Sequence, residues 1–90
     1  ERGIRTHNPP MRNTLDLAAV PWLKQHTHLP IVVDPSHGTG LRACVLPMAR
    51  AALAVGADAI MLEVHTDPDA ALSDAQQTIS VLQFRDFVKN

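Results

Sequence analysis

The chain has few of the residues that mark secreted and membrane proteins. Its single cysteine, Cys44, excludes an internal disulfide and favours a reducing compartment, so we expect a cytoplasmic protein. No apolar run approaches the roughly 18–20 residues of a membrane span. The first six residues, ERGIRT, lack the apolar core of a signal peptide. We therefore expect no membrane partner.

Charge and aromatic residues are also sparse. Eight basic and nine acidic residues give a formal net charge of −1, and the basic residues form no stripe. One tryptophan, two phenylalanines and no tyrosine leave no platform on which bases would stack. We therefore expect no nucleic-acid partner. What the chain does have is a globular composition, since 46% of its 90 residues are hydrophobic.

Two short apolar segments predict buried strands. Residues 29–33 (LPIVV) and 59–64 (AIMLEV) are nearly continuous apolar runs, which is the pattern of parallel strands covered on both faces. The element order helix–strand–helix–strand–helix predicts the parallel βαβ units of an α/β protein. Two strands cannot close a core, so we interpret the chain as a slice of a larger α/β domain. No linker or repeat divides it, and residues 1–90 are assigned to one domain.

Local signals set the limits of three predicted helices, at residues 17–24, 41–55 and 81–88. Asp16 is the expected N-cap of the first, and Gly56 is the expected stop of the second. Ser80 and Gln83 have the spacing of a capping box before the third. The two predicted loops are residues 1–16 and 35–40.

One carboxylate lies within the second predicted strand. Glu63 shares a strand face with Met61 and His65, and a buried, unpaired carboxylate is costly. His37 and Asp74 lie in loops that follow strands, where parallel strands collect their functional residues. An imidazole and two carboxylates suit a divalent metal. The alternative is that Glu63 pairs with an arginine outside this segment and that His37 is an ordinary loop residue.

Six ordered motifs resemble the C-terminal part of the class I 3-deoxy-D-arabino-heptulosonate-7-phosphate (DAHP) synthases. The similarity is to the branch of that family related to the 3-deoxy-octulosonate-8-phosphate synthases, and it spans essentially the whole chain. The motifs are ERGIRT (1–6), RNTLD (12–16), VDPSH (33–37), RAALAVGAD (50–58), EVH (63–65) and ALSD (71–74). The resemblance implies the C-terminal segment of a TIM (β/α)8 barrel, with about the last two strands and three helices.

The resemblance also implies an activity. The family condenses phosphoenolpyruvate with erythrose 4-phosphate and releases phosphate, which is the first step of the shikimate pathway. By resemblance, a divalent metal (Mn, Fe, Zn or Co) is held by His37, Glu63 and Asp74. Arg2, Asp34 and Ser36 are expected at the substrate, and Asp34 and His37 in catalysis. A homo-oligomer is expected as well.

The segment also departs from the family pattern. The family's cysteine ligand belongs to the first strand, and Cys44 does not match it, because Cys44 falls at the start of a predicted helix. Three of four metal ligands are therefore present, and the 90 residues alone are expected to be inactive. Two alternatives stay open: an octulosonate-phosphate synthase with a five-carbon aldehyde substrate, and an inactive truncated product that only self-associates.

Overall fold

The structure, a computed structural model, describes residues 1–7 and 12–89. Pro9 and Pro10 of the first predicted loop lie outside the described residues. The elements in chain order are α1 (Ala19–His26), β1 (Val32–Val33), α2 (Pro35–Thr39), α3 (Arg42–Ala54), β2 (Ala59–Ile60), β3 (Val64–His65), a 3₁₀ turn (Pro68–Ala70), β4 (Ile79–Ser80) and α4 (Val81–Lys89). None of the described helices is long and apolar enough to cross a membrane.

The strands form two separate parallel pairs, and the α/β class is confirmed. Val32 and Val33 of β1 pair with Ala59 and Ile60 of β2, while β3 pairs with β4. The prediction of one strand over residues 59–64 is wrong in its extent. The strand β1 ends at Val33 because Asp34 caps the helix α2, so the residues after Ile60 have no partner in β1 with which to continue the ladder. The chain then pairs again at β3, with a strand at 79–80 that the sequence pattern did not indicate.

Residues 35–39, predicted as part of a loop, form the short helix α2. The two glycines of this segment suggested a loop, but Asp34 supplies a side-chain cap and Pro35 occupies the first helical position, where its missing N–H costs nothing. Gly40 ends the helix with a φ of 72°, a left-handed conformation that favours glycine. The helix places the His37 side chain next to Asp34, which directly follows β1.

The other helix signals were mostly correct. Ser80 and Gln83 form the predicted capping box, with reciprocal backbone to side-chain hydrogen bonds of 2.9 and 3.1 Å. Gly56 follows the end of α3 with a φ of 100°. The predicted cap at Asp16 is wrong: α1 begins at Ala19, and its N-cap residue makes no side-chain cap bond. The Asp16 N–H instead donates to the Glu1 carboxylate at 2.8 Å.

The core is small and lies between α1, α3 and the first strand pair. Val20, Val33 and Ala52 are fully buried there, and six partly buried hydrophobic residues pack around them. Val32 and Val64 are 42% and 38% exposed in this segment, so the expected cover on both strand faces is left to the neighbouring elements of the larger domain and stays a prediction.

Candidate metal centre

Asp34 fixes the position and the orientation of His37. Asp34 is buried at the end of β1, and its Oδ1 accepts the backbone N–H of His37 at 3.0 Å as the cap of α2. Its Oδ2 lies 2.6 Å from His37 Nδ1. A carboxylate can only accept at this contact, so Asp34 favours the tautomer with its proton on Nδ1, in which the lone pair of Nε2 is available to a cation on the other side of the ring.

His37 Nε2 faces two more carboxylates. It lies 2.6 Å from Glu63 Oε1 and 3.4 Å from Asp74 Oδ2. The three ligand atoms all lie within 4.8 Å of one another. Two carboxylates around an imidazole nitrogen repel each other unless a proton or a cation lies among them. A neutral imidazole nitrogen with two carboxylate oxygens is a donor set that divalent metals accept, so the residues fit the expected ion.

Glu63 is held by residues from two other segments. Gln77, which is 1% exposed, donates from Nε2 to Glu63 Oε1 at 3.1 Å. The backbone N–H of Glu63 donates to Ser36 Oγ at 3.1 Å, and Ser36 is fully buried. These bonds place the Glu63 carboxylate beside His37, while the Glu63 carbonyl accepts the Ile79 N–H at 3.0 Å at the start of the β3–β4 pair.

Asp74 lies in a sharp turn of the connection between β3 and β4. Its φ of 53° is left-handed, a conformation that aspartate tolerates better than most residues. Its carbonyl accepts the Gln77 N–H at 3.1 Å and the Thr78 hydroxyl at 2.9 Å. Thr78 Oγ1 also lies 3.4 Å from Glu63 Oε2. Since the hydroxyl has one proton, the shorter contact to Asp74 is the better bond.

Beside the triad is an open cleft of about 300 Å³. Its lining includes Arg2, Asp34, His37 and Met61. Arg2 is exposed and is the one arginine of this lining, so an anion bound in the cleft would meet its guanidinium. The Glu1 carbonyl accepts the Asp34 N–H at 2.8 Å, which holds the first residues of the chain against the end of β1.

The predicted site residues thus fall into three groups. His37, Glu63 and Asp74 come together as a triad. Arg2 and Asp34 line the adjoining cleft with His37. Ser36 does not line the cleft; its hydroxyl is buried against the backbone of Glu63. The catalytic and substrate-binding roles of these residues stay predictions. Cys44, in the first turn of α3, lies outside the triad.

Sequence reasoning missed the residues that support the triad. Gln77 and Thr78 hold Glu63 and Asp74, and the Asn13 amide donates to the His37 carbonyl at 2.9 Å. Gln77 and Thr78 are polar, yet both are buried beside Ile79. No strand was predicted at 79–80, so nothing indicated that these two side chains would be buried.

Comparison with known proteins gives a consistent result. A profile of the DAHP synthetase I family matches residues 1–90. The phospho-2-dehydro-3-deoxyheptonate aldolase of Thermotoga maritima is 52% identical over 89 residues, which cover 99% of this chain and 26% of that protein. The 2-dehydro-3-deoxyphosphooctonate aldolase of Desulfosudis oleivorans is 40% identical over 80 residues, which cover 77% of this chain and 29% of that protein.

Solved structures agree with the sequence relatives. The crystal structure of the Thermotoga maritima DAHP synthase superposes with a TM-score of 0.95, at 52% identity and over 99% of this chain. A truncated form of the 3-deoxy-D-arabino-heptulosonate 7-phosphate synthase from the same organism gives a TM-score of 0.96. The chain spans 26% and 34% of these two structures. With the family profile matching from its first residue to its last, the chain belongs to the DAHP synthetase I family.

Proposed function

We propose that this chain is the C-terminal part of a (β/α)8-barrel synthase that condenses phosphoenolpyruvate with erythrose 4-phosphate. The single observation that carries this function is the triad of His37, Glu63 and Asp74, whose ligand atoms lie within 4.8 Å of one another. Family membership and the name of the 52% identical relative support the choice of reaction. The barrel is supported by the two parallel strand pairs and by the nearly complete overlap with DAHP synthase structures.

His37, Glu63 and Asp74 would hold a divalent metal. When bound, such an ion supplies Lewis-acid polarisation of an aldehyde oxygen. Asp34 keeps the proton on His37 Nδ1, so Nε2 remains the ligand atom. Gln77 fixes the Glu63 carboxylate by donating to it, which limits its rotation.

Arg2 would bind the anionic substrate. Phosphoenolpyruvate carries a carboxylate and a phosphate, and a guanidinium pairs with either through two parallel hydrogen bonds. Arg2 lines the same cleft as His37, so a substrate held by Arg2 would lie next to the triad. Nucleophilic attack by the enol carbon of phosphoenolpyruvate on the aldehyde carbon forms the new carbon–carbon bond, and the aldehyde oxygen takes up a proton. One water molecule adds to the phosphate-bearing carbon of phosphoenolpyruvate, and phosphate leaves as that carbon becomes the keto group.

A second candidate is the octulosonate-phosphate reaction, which the 40% identical relative favours by its name. The two reactions differ in the aldehyde, which is erythrose 4-phosphate in the first and arabinose 5-phosphate in the second. Protein expressed from the complete reading frame that encodes this chain should consume phosphoenolpyruvate with erythrose 4-phosphate. Preference for the five-carbon aldehyde would select the second candidate, and activity with neither would reject both.

The metal role is tested by His37→Ala, with Asp58→Ala as its control. Asp58 precedes β2 and bonds Lys24 and the Ile31 N–H at the opposite end of the strands. We expect His37→Ala to lose metal affinity and activity, with partial recovery in excess metal, and Asp58→Ala to keep near-normal activity well below its melting temperature. Equal behaviour of the two variants in a steady-state assay would contradict the proposed site.

A further inference from the structure

Arg42, the first residue of α3, makes four contacts to the connection that carries Asp74. Its Nε donates to the Thr78 carbonyl at 2.6 Å, and its Nη2 donates to the Ala75 carbonyl at 2.7 Å. Nη2 also lies 3.0 Å from the Asp69 carboxylate. The backbone N–H of Arg42 donates to the Gln76 carbonyl at 2.9 Å. One residue of a helix is thus bonded to four positions between 69 and 78.

The two carbonyl contacts are the important ones. The Asp69 side chain is 86% exposed, and an ion pair in water contributes little. The carbonyls of Ala75 and Thr78, by contrast, accept charge-assisted hydrogen bonds from a guanidinium whose side chain is two-thirds covered. Ala75 follows Asp74 directly, and Thr78 bonds the Asp74 carbonyl. The fork of Arg42 therefore constrains the turn on both sides of Gln77.

We propose that Arg42 is a positioning residue for the metal centre, acting on Asp74 and Glu63 through the backbone of residues 75–78. This inference rests on the metal site of the proposed function. The bonds of Arg42 go to Asp69 and to the backbone of residues 75–78, and none of these partners is one of the three ligand side chains. Arg42 thus orders the turn from which Asp74 projects and to which Gln77 and Thr78 belong. Outer groups that orient metal ligands typically change metal affinity by about 10–100-fold when removed.

A matched pair of substitutions tests the proposal in the protein made from its complete reading frame. Arg42→Met keeps a long unbranched stem and removes every side-chain donor. Arg50→Met makes the same change two turns along α3, where the guanidinium lies 5.4 Å from the centre of the Phe87 ring. We expect Arg42→Met to raise the Mn²⁺ dissociation constant about 10-fold or more by calorimetry, and Arg50→Met to leave it within about 2-fold.

A double variant tests whether Arg42 acts through Asp74. In an Asp74→Ala background, Arg42→Met should weaken Mn²⁺ binding by less than in the wild type, because the ligand that it positions is gone. Additive effects would overturn the proposal, as would wild-type affinity in Arg42→Met. A wild type that takes up no Mn²⁺ would reject the metal site itself, and the role of Arg42 with it.

Arg42→Lys covers the case in which Arg42→Met does not fold. Lysine keeps the charge but cannot donate to two carbonyls with the geometry of a planar fork. We expect Arg42→Lys to show an intermediate loss of Mn²⁺ affinity with a melting temperature of the metal-free protein close to that of the wild type. If both variants unfold, Arg42 serves the whole fold and the positioning role is wrong.

Discussion

The carboxylate of Asp34 contacts His37 twice, through Oδ1 to the backbone N–H at 3.0 Å and through Oδ2 to Nδ1 at 2.6 Å. The first contact caps α2 and the second sets the tautomer of the imidazole. A structural bond and a functional bond therefore depend on one side chain. This double contact makes Asp34 the most direct way to alter the proposed metal centre without removing a ligand.

Asp34→Asn should lower the metal affinity while the protein keeps most of its stability. The amide still offers an oxygen to cap α2, but it no longer holds a full negative charge against Nδ1–H, so His37 Nε2 becomes a weaker ligand. We expect Mn²⁺ affinity to fall about 10-fold or more, with a change of less than about 2 kcal/mol in the free energy of unfolding. Calorimetry and urea denaturation of the same preparation measure both. Unchanged affinity would mean that the Nδ1 contact is dispensable.

Gly3→Ala should destabilise the protein more than Gly56→Ala. Both glycines have positive φ values, of 98° and 100°. A Cβ at Gly3 would lie 2.7 Å from the Cα of Gly38, next to His37, whereas a Cβ at Gly56 would meet nothing within 4 Å. Backbone strain of about 1–3 kcal/mol is common to both, so the difference isolates the clash. Denaturant titration should show the larger loss for Gly3→Ala, and equal losses would mean that the Gly3–Gly38 contact relaxes freely.

The contact between Lys24 and Asp58 should give an acid-sensitive contribution to stability. The hydrogen bond from the Lys24 ammonium, followed by that from the Ile31 N–H, lowers the pKa of the Asp58 carboxyl below its ordinary value of 3.8. A lowered folded-state pKa contributes stability above the unfolded-state pKa, and the contribution disappears as the pH falls through the folded value. Asp58→Asn should therefore melt lower than the wild type at neutral pH, and the gap should shrink below about pH 3.8. A difference in melting temperature that does not change with pH would contradict the lowered pKa of Asp58.

The isolated 90 residues should associate with one another. The two strand pairs leave unpaired strand edges within residues 1–7 and 12–89, and Leu82 and Val88 on α4 are 69% and 64% exposed. Open edges and uncovered apolar faces favour association, and the small core leaves little stability to a monomer. Analytical ultracentrifugation should show oligomers. A compact monomer that melts cooperatively would show that the segment is a self-sufficient domain.

The sequence predicted that the three candidate ligands lie together better than it predicted the framework around them. His37, Glu63 and Asp74 were found because each is an ionisable residue next to an apolar strand or in a recognisable motif. The helix α2 was missed because Asp34 and Pro35 indicate the start of a helix, whereas Gly38 and Gly40 indicate a loop. The strand β4 was missed because two residues are too few to show the alternation of apolar and polar residues that marks a strand. Arg42 was missed because its partners are backbone carbonyls, which have no sequence signature.

His37 lies in α2, which follows β1, Glu63 lies between β2 and β3, and Asp74 lies in the connection from β3 to β4. The proposed ligands are therefore attached to both strand pairs and to the link between them. The two pairs share no ladder of hydrogen bonds. An ion held by all three side chains would therefore act as a cross-link between the two halves of the segment. The free energy of metal binding would then add to the free energy of unfolding, and the melting temperature would rise with the logarithm of the free metal concentration. Removal of the metal by a chelator would lower the melting temperature as well as abolish the activity.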